Sequence, residues 1–191
     1  NTASPVICKP LAHGAAIVMH SLTKYIGGHG TSIGGIVVDG GNFDWTKNRK
    51  RQPLLNDPDQ SYGGAVWIDA VPQLTGANIP FVIRLRVVLL RDTGAPLAPF
   101  NAWQIIQGLE TVGLRMKQHC SNAEKVVTFL ETQKKVQNVI YPTNHQGEIK
   151  ERALKYMKGG YGSLVGMDVG TKENGAKFID NLKMLYHVAN I

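Results

Sequence analysis

A single lysine between two short apolar segments constrains this chain more than any other feature. The stretch Met19–Tyr25 (MHSLTKY) follows one apolar segment, and a second begins at Ile33. Short apolar runs bounded by glycine and polar residues are typical of buried strands. We therefore predict strands over residues 15–20 and 33–38. Their connection carries Lys24 at the rim of a sheet, where α/β proteins place ligands.

The residues around Lys24 are those that a pyridoxal phosphate site requires. A lysine amine can form a Schiff base with the aldehyde of that cofactor, and the hydroxyls of Ser21 and Thr23 can hydrogen-bond its phosphate. By spacing alone, a loop lysine is more often a solvated surface charge. From the residues alone this reading stays open, with Lys24 a candidate catalytic residue and Ser21, Thr23 and Lys24 candidate cofactor-binding side chains. His20 and His29 flank the lysine, and we interpret them as hydrogen-bonding spacers.

Composition limits the classes of protein that this chain can form. The 191 residues carry a formal charge of +7 and are 43% hydrophobic. No apolar run reaches the roughly 18 residues that a membrane span needs. The basic cluster at residues 47–51 lacks interleaved aromatic residues, which argues against nucleic-acid binding. We therefore predict a globular cytoplasmic protein that binds neither nucleic acid nor a membrane.

The spacing of cysteine, histidine and glycine argues against two other kinds of site. Cys8 and Cys120 are far apart, and no second ligand lies one helical turn from His119. We predict free thiols and no metal. The run Gly27–Gly30 lacks the GxGxxG spacing because Ile33 occupies the final glycine position, which excludes a dinucleotide fingerprint. We expect these glycines to give the backbone room near the cofactor.

The rest of the chain alternates helical and strand patterns. Residues 40–63 are rich in Gly, Asn, Asp and Pro, and predict a long irregular segment of the kind that is functional or interfacial. Downstream we predict strands over 136–141 and 163–169, and helices over 65–75 (broken near Pro72), 80–91, 100–133, 148–157 and 172–187.

Helical periodicity predicts which side chains of the helices lie at the surface and which form core. Arg84, Arg86 and Arg91 do not share one face, so we expect ordinary surface or interface charges. The long helix is expected to bury one apolar stripe that forms core. Its members are Trp103, Ile106, Leu109, Leu114, Val126, Val127 and Leu130.

Motifs along most of the chain resemble, in order and spacing, the Cys/Met-metabolism family of pyridoxal phosphate enzymes. Residues 39–62 are similar to an insertion typical of its O-acetylhomoserine sulfhydrylases. The motifs that carry the resemblance are Asn1–Pro5, Lys9–Leu11, His13–Ala15, His20–Tyr25, Gly27–His29, Leu90–Ala95, Pro99–Ala102, Gly108–Thr111, Leu114–Met116 and His119.

The resemblance implies an α/β fold. Residues 1–95 would be the C-terminal portion of the large cofactor-binding domain of a fold type I, aspartate aminotransferase-like transferase. Residues 96–191 would supply hinge helices and the start of a smaller C-terminal α/β domain. The resemblance also implies pyridoxal 5'-phosphate as cofactor, with Lys24 as the catalytic residue and Ser21, Thr23 and Lys24 as the cofactor-binding residues. It further implies a homotetramer whose active sites are shared between subunits.

The reaction implied is replacement of the γ-substituent of O-acetylhomoserine by sulfide or a thiol, an amino-acid biosynthetic step. Cystathionine γ-synthase, cystathionine γ-lyase and methionine γ-lyase of the same family are alternatives, as is a non-catalytic structural fragment of a larger assembly. In the family pattern an aspartate for the pyridinium nitrogen precedes Asn1, and an arginine for the substrate carboxylate follows Ile191. We therefore expect an internal fragment that is inactive and poorly folded by itself.

Overall fold

The structure, a computed structural model, describes residues 3–188 as a mixture of helices and short strands. The strands are Ile17–Ser21 (β1), Gly35–Asp39 (β2), Asn138–Ile140 (β3) and Gly166–Asp168 (β4). The α-helices are Ser4–Ile7 (α1), Pro53–Asn56 (α2), Trp67–Thr75 (α3), Pro80–Arg84 (α4), Pro99–Glu110 (α5), Val112–Glu131 (α6), Gly147–Tyr156 (α7) and Lys172–Asp180 (α8). Turns of π-helix lie at Leu22–Ile26 and Leu85–Leu90, and turns of 3₁₀-helix at Pro10–His13, Arg49–Arg51, Gln60–Tyr62 and Pro142–Asn144.

The chain divides into two compact units. Residues 9–108 belong to the first unit, and residues 3–8 join the chain from Leu109 onward in the second. The assignment of residues 1–95 and 96–191 to functional domains stays a prediction.

The first unit contains the predicted pair of strands. β1 and β2 pair antiparallel, with Ile17 opposite Asp39 and Ser21 opposite Gly35. Both strands begin two residues later than predicted and end one residue later. Within β1, Val18 and His20 are buried whereas Met19 between them is exposed, as the alternation of side chains along a strand requires. The connection from β1 to β2 carries Lys24.

A small apolar core orders the segment predicted to be irregular. Leu55 from α2 packs with the buried face of α3, which contributes Trp67, Ile68 and Val71. Asp59 ties the end of the segment to this core because its carboxylate accepts a hydrogen bond from Trp67 Nε1 at 2.9 Å. Hydrogen bonds from Ser61 and Trp67 lower the pKa of Asp59. The segment is thus ordered by its contacts with α3, and it contains short helical turns.

Two predictions about the next helices are wrong. Pro72 does not break α3, which continues through it to Thr75. Arg84 is not an ordinary surface charge, because only 15% of its side chain is exposed and its Nε lies 3.7 Å from Asp59 Oδ2. A buried guanidinium requires a nearby carboxylate, and Asp59 supplies it.

The long helical stretch buries a different stripe from the one predicted. The interruption at Thr111 separates α5 from α6, and the buried positions are Ile105, Gly108, Met116, Cys120, Ala123 and Val127. Of the predicted stripe, Trp103, Ile106, Leu109, Leu114 and Val126 are exposed, and only Val127 is fully buried. The periodicity of large apolar residues predicted the wrong buried face. The face that is buried includes glycine, alanine and cysteine, which permit close packing but do not stand out in an apolar pattern.

The second unit holds the other strand pair. β3 and β4 are antiparallel, with Asn138 opposite Asp168, although α7 lies between them in the chain. Tyr141 is almost completely buried beside Val127 and Val139, and its hydroxyl donates to the Gly162 carbonyl at 2.9 Å. Burial raises the pKa of Tyr141 to about 12. The predicted helix over 172–187 ends early, at Asp180.

Other expectations concern metals, thiols and membranes. Within residues 3–188, no cluster of three histidine, cysteine, aspartate or glutamate side chains is arranged to hold a metal ion, and both cysteines are free thiols. In the same range no individual helix is both long and apolar enough to cross a bilayer. The segments Trp67–Thr75 and Pro80–Leu90 have the length and composition of a membrane span only when taken together, and the chain bends by 99° between them.

Candidate active site

Lys24 lies in a tight turn directly after β1. The Gly27 amide donates to the Leu22 carbonyl at 2.9 Å, and the Gly28 amide donates to the Lys24 carbonyl at 2.8 Å. Inside this turn Lys24 has φ −83° and ψ −128°, which is not a helical conformation. The hydrogen bonds on both sides therefore hold the lysine at a kink.

The residue that anchors the turn is Gly34, just before β2. Its carbonyl oxygen accepts hydrogen bonds from the amides of Leu22 and Thr23, at 2.9 and 3.3 Å. The Thr23 hydroxyl accepts a hydrogen bond from the Gly34 amide at 3.0 Å and lies 3.3 Å from the Gly34 carbonyl oxygen. Thr23 thus fastens the lysine turn to the partner strand.

The side chains of Ser21 and Lys24 are half-buried, and both are available to bind a ligand. Within the described part of the chain, neither the Ser21 hydroxyl nor the Lys24 amine has a hydrogen-bond or ion-pair partner. An amine without a carboxylate partner can react with an aldehyde without first breaking an ion pair. This property distinguishes Lys24 from a lysine that serves a structural salt bridge.

The two histidines beside the lysine differ in environment. His20 is buried, 7% exposed, on β1. His29 is exposed, and its Nδ1 lies 2.6 Å from the Gly27 carbonyl oxygen. Since a carbonyl only accepts, Nδ1 carries the proton and donates. The interpretation of His29 as a hydrogen-bonding spacer fits this contact, which supports the backbone of the lysine turn.

The residues present fit a phosphate-bearing aldehyde cofactor. Lys24 offers an unpaired amine, and Ser21 offers a free hydroxyl three residues earlier. Thr23 is already engaged by Gly34, but its contact to the carbonyl oxygen is long for an O–H···O bond. Its proton can therefore turn to a phosphate oxygen while the hydroxyl still accepts from the Gly34 amide. The Gly34 carbonyl keeps its two backbone donors when this happens.

The chain is similar in sequence to known proteins along its length. The sequence model of the Cys/Met metabolism PLP-dependent enzyme family matches residues 1–191. O-acetyl-L-homoserine sulfhydrylase of Leptospira meyeri is 45% identical over 98% of this chain, and homocysteine synthase of Schizosaccharomyces pombe is 40% identical over 97%. These alignments span only 43% and 42% of the two relatives.

Solved structures share the fold. A putative O-acetylhomoserine (thiol)-lyase from Campylobacter jejuni, which contains N'-pyridoxyl-lysine-5'-monophosphate, aligns with a TM-score of 0.84 and 34% identity. It covers 100% of this chain, which in turn covers 46% of that structure. Cystathionine gamma-lyase from Lactobacillus plantarum aligns with a TM-score of 0.70 and 26% identity, and this chain covers 40% of it.

The shared fold and the matched family model place this chain among the fold type I enzymes that use pyridoxal phosphate. The chain belongs to the Cys/Met metabolism PLP-dependent enzyme family. It spans less than half the length of the curated relatives that it matches. The fold class, the family and the cofactor predicted from the sequence are thereby confirmed, whereas the roles of Lys24, Ser21 and Thr23 stay predictions.

The residues that hold the lysine in place are not predicted from the sequence. Gly34 was assigned to the interior of a strand, but it precedes β2 and clamps Thr23. Gly108 was noted only as part of a motif. A glycine within a strand pattern often marks a close approach of backbone, so the pair Gly34–Gly35 carried a usable signal.

Proposed function

We propose that the full-length parent of this chain is a pyridoxal phosphate enzyme that replaces the γ-acetoxy group of O-acetylhomoserine with sulfide or a thiol. In the net reaction the Cγ–O bond breaks and acetate leaves, and a Cγ–S bond forms to give homocysteine or a thioether. Relatives named as O-acetyl-L-homoserine sulfhydrylase and homocysteine synthase support this choice of substrate.

The observation that carries the proposal is the kinked, half-buried Lys24 with no ion-pair partner in the described residues. When bound, the cofactor supplies an electron sink for negative charge that develops at the substrate α-carbon. We assign to the Lys24 amine both the covalent attachment of the cofactor and the subsequent transfer of the α-proton. The position directly after β1 holds Nζ on a turn whose backbone is fixed on both sides.

We assign phosphate binding to the hydroxyls of Ser21 and Thr23. Both donate to phosphate oxygens, and the Gly34 amide keeps the Thr23 oxygen oriented while its proton points away. Because Thr23 adjoins Lys24, one turn fixes the phosphate end of the cofactor and the reactive amine together. This coupling restricts the position of the cofactor ring relative to the substrate.

The proposal is tested by locating the modified lysine. The full-length parent, loaded with pyridoxal phosphate, is reduced with borohydride, digested and analysed by mass spectrometry. We expect the pyridoxyl mass on the peptide that contains Lys24. A pyridoxyl group found only on a different lysine would overturn the site assignment. A parent that acquires no pyridoxyl group would also overturn the site assignment and would favour a non-catalytic role.

The substrate is tested separately. With O-acetylhomoserine, the parent is assayed with sulfide and with cysteine as the thiol, and we expect turnover with sulfide to be the faster. Faster turnover with cysteine would indicate a cystathionine γ-synthase, and release of ammonia from cystathionine or methionine would indicate a lyase. We also propose a cytoplasmic homotetramer with shared active sites, and an inactive isolated 191-residue chain.

A further inference from the structure

Two glycines bring the lysine turn into direct backbone contact with helix α5. Gly27 closes the turn of Lys24, and Gly108 lies near the end of α5. A methyl group on the Gly108 Cα would lie 1.9 Å from the Gly27 carbonyl oxygen, 2.6 Å from its carbonyl carbon and 2.9 Å from its Cα. All three are backbone atoms, so no side-chain rotation can relieve the overlap. Any side chain at position 108 must displace the turn or the helix.

Further contacts join the same two elements. The Ser32 hydroxyl donates to Gln104 Oε1 at 2.5 Å. A Cβ on Gly34 would lie 2.8 Å from Ile105 Cδ1. The positions 104, 105 and 108 lie on adjacent turns of one side of α5. The segment that begins with the lysine turn and ends at the anchor Gly34 is therefore seated on this side of the helix.

The turn has little freedom to move away from α5. A Cβ on Gly27 would lie 2.6 Å from the Leu22 carbonyl oxygen, which accepts the hydrogen bond that closes the turn. Gly27 is therefore held between that carbonyl and the helix. A shift of Gly27 would be transmitted to Lys24, because the Gly27 and Gly28 amides bond to Leu22 and Lys24.

We infer that Gly108 is a positioning residue, which sets the location of the Lys24 amine by allowing α5 to touch the backbone of the lysine turn. The inference rests on the proposed function, because the position of Lys24 matters only if its amine reacts. Gly108 itself touches neither cofactor nor substrate in this account. Displacement of a reacting group by about 1 Å can slow a reaction by about 100-fold, so small movements of the turn are measurable.

The chain offers a matched control. Gly113 lies in α6, and a Cβ there meets nothing within 4 Å. Gly108→Ala and Gly113→Ala add the same methyl group to a helix and raise helix propensity equally, but only the first displaces backbone. Both variants are made in the full-length parent and freed of cofactor.

Two measurements are made on the cofactor-free proteins. The first is the rate at which pyridoxal phosphate forms a borohydride-trappable bond with the Lys24 peptide. The second is hydrogen exchange of the amides of residues 22–28. For Gly108→Ala we expect bond formation at least about tenfold slower and faster exchange in this segment, with Gly113→Ala equal to the unmodified protein.

The outcomes separate the two proposals. If the unmodified parent attaches the cofactor at Lys24 and Gly108→Ala behaves like Gly113→Ala in both measurements, the positioning role is overturned. If the parent never attaches it at Lys24, the proposed function fails, whereas hydrogen exchange still reports whether α5 fixes the turn. Should Gly108→Ala not fold, Ser32→Ala removes a contact without adding bulk. It is expected to slow bond formation about threefold, and an unchanged rate would contradict the inference.

Discussion

The Thr23 hydroxyl oxygen lies 3.0 Å from the amide nitrogen of Gly34, and this hydrogen bond connects the lysine turn to the strand that pairs with β1. The Gly34 carbonyl accepts from the Leu22 and Thr23 amides in return. Three hydrogen bonds thus close the loop between the two strands immediately before Lys24. Position 23 therefore has a structural role in addition to its proposed phosphate contact.

Thr23→Val is expected to weaken both the fold and cofactor binding. Valine keeps the shape of threonine but leaves the Gly34 amide without its acceptor, which costs about 1 kcal/mol. Urea unfolding measures the stability, and a titration of the cofactor-free parent with pyridoxal phosphate measures the affinity. Thr23→Ser retains the hydroxyl and should behave nearly as the unmodified protein. Equal losses in both variants would show that the hydroxyl is unimportant.

Lys24→Ala should abolish the visible absorbance of the covalently bound cofactor in the parent and lower kcat by about 10³-fold or more, because both the nucleophile and the proton carrier are removed. Absorbance spectra and steady-state kinetics measure the two effects. Lys47→Ala, at an exposed position of the basic cluster, is the matched control and should change neither. Retention of the absorbance band in Lys24→Ala would contradict the assignment.

Asp59 and Asp44 make the same local turn but differ in long-range contacts. Asp44 Oδ1 accepts from the Thr46 amide and hydroxyl, at 2.9 and 2.6 Å. Asp59 Oδ1 accepts from the Ser61 amide and hydroxyl in the same way, at 3.1 and 2.6 Å. Asp59 alone continues to the Trp67 indole and to Arg84. The pair therefore isolates the contribution of those two contacts.

We expect Asp59→Ala to lower the melting temperature of the parent more than Asp44→Ala does, since it leaves Arg84 without its ion-pair partner and Trp67 Nε1 without its acceptor. Differential scanning calorimetry measures this. The hydrogen bonds lower the Asp59 pKa below 3.8, so its contribution is present above that pH and is lost as the pH falls through the folded pKa. Equal melting temperatures for the two variants would mean that the long-range contacts add nothing.

The burial of Tyr141 should make the second unit less stable at alkaline pH. Its pKa is raised from 10.0 to about 12 by burial, so the unfolded chain ionises first. The free energy of unfolding is unaffected by Tyr141 ionisation below about pH 10, and it falls by roughly 2 to 3 kcal/mol as the pH rises toward 12. Phenolate absorbance of the unmodified parent minus that of Tyr141→Phe isolates this residue. A difference titration centred near pH 10 would contradict the prediction.

Much of the local structure could be read from residue patterns. Apolar runs predicted β1 and β2 to within two residues, because a short apolar run bounded by glycine and polar residues is typical of a strand. Proline marks the start of α2, α4 and α5, and glycine follows the end of α3. The helix over 148–157 was predicted to within one residue at each end.

Residue patterns did not predict which side chains are buried where burial depends on the packing partner. The apolar residues Trp103 and Leu114 are 55% and 75% exposed, whereas Met116 is 0% exposed. A single sequence does not say which of two apolar faces of a helix meets the rest of the chain. Arg84 was misjudged for the same reason, because its partner Asp59 lies 25 positions earlier.

The sequence by itself determined the family and the cofactor, and it predicts the lysine that the proposed chemistry needs, since motifs in order and spacing carry this information directly. Only the tertiary structure revealed how that lysine is held, through the clamp of Thr23 on Gly34 and the contact of Gly27 with Gly108. The physical reason is that a glycine can mark a close backbone approach but does not identify the backbone that approaches it. Its importance lies in the approach of another backbone, which exists only after the chain has folded.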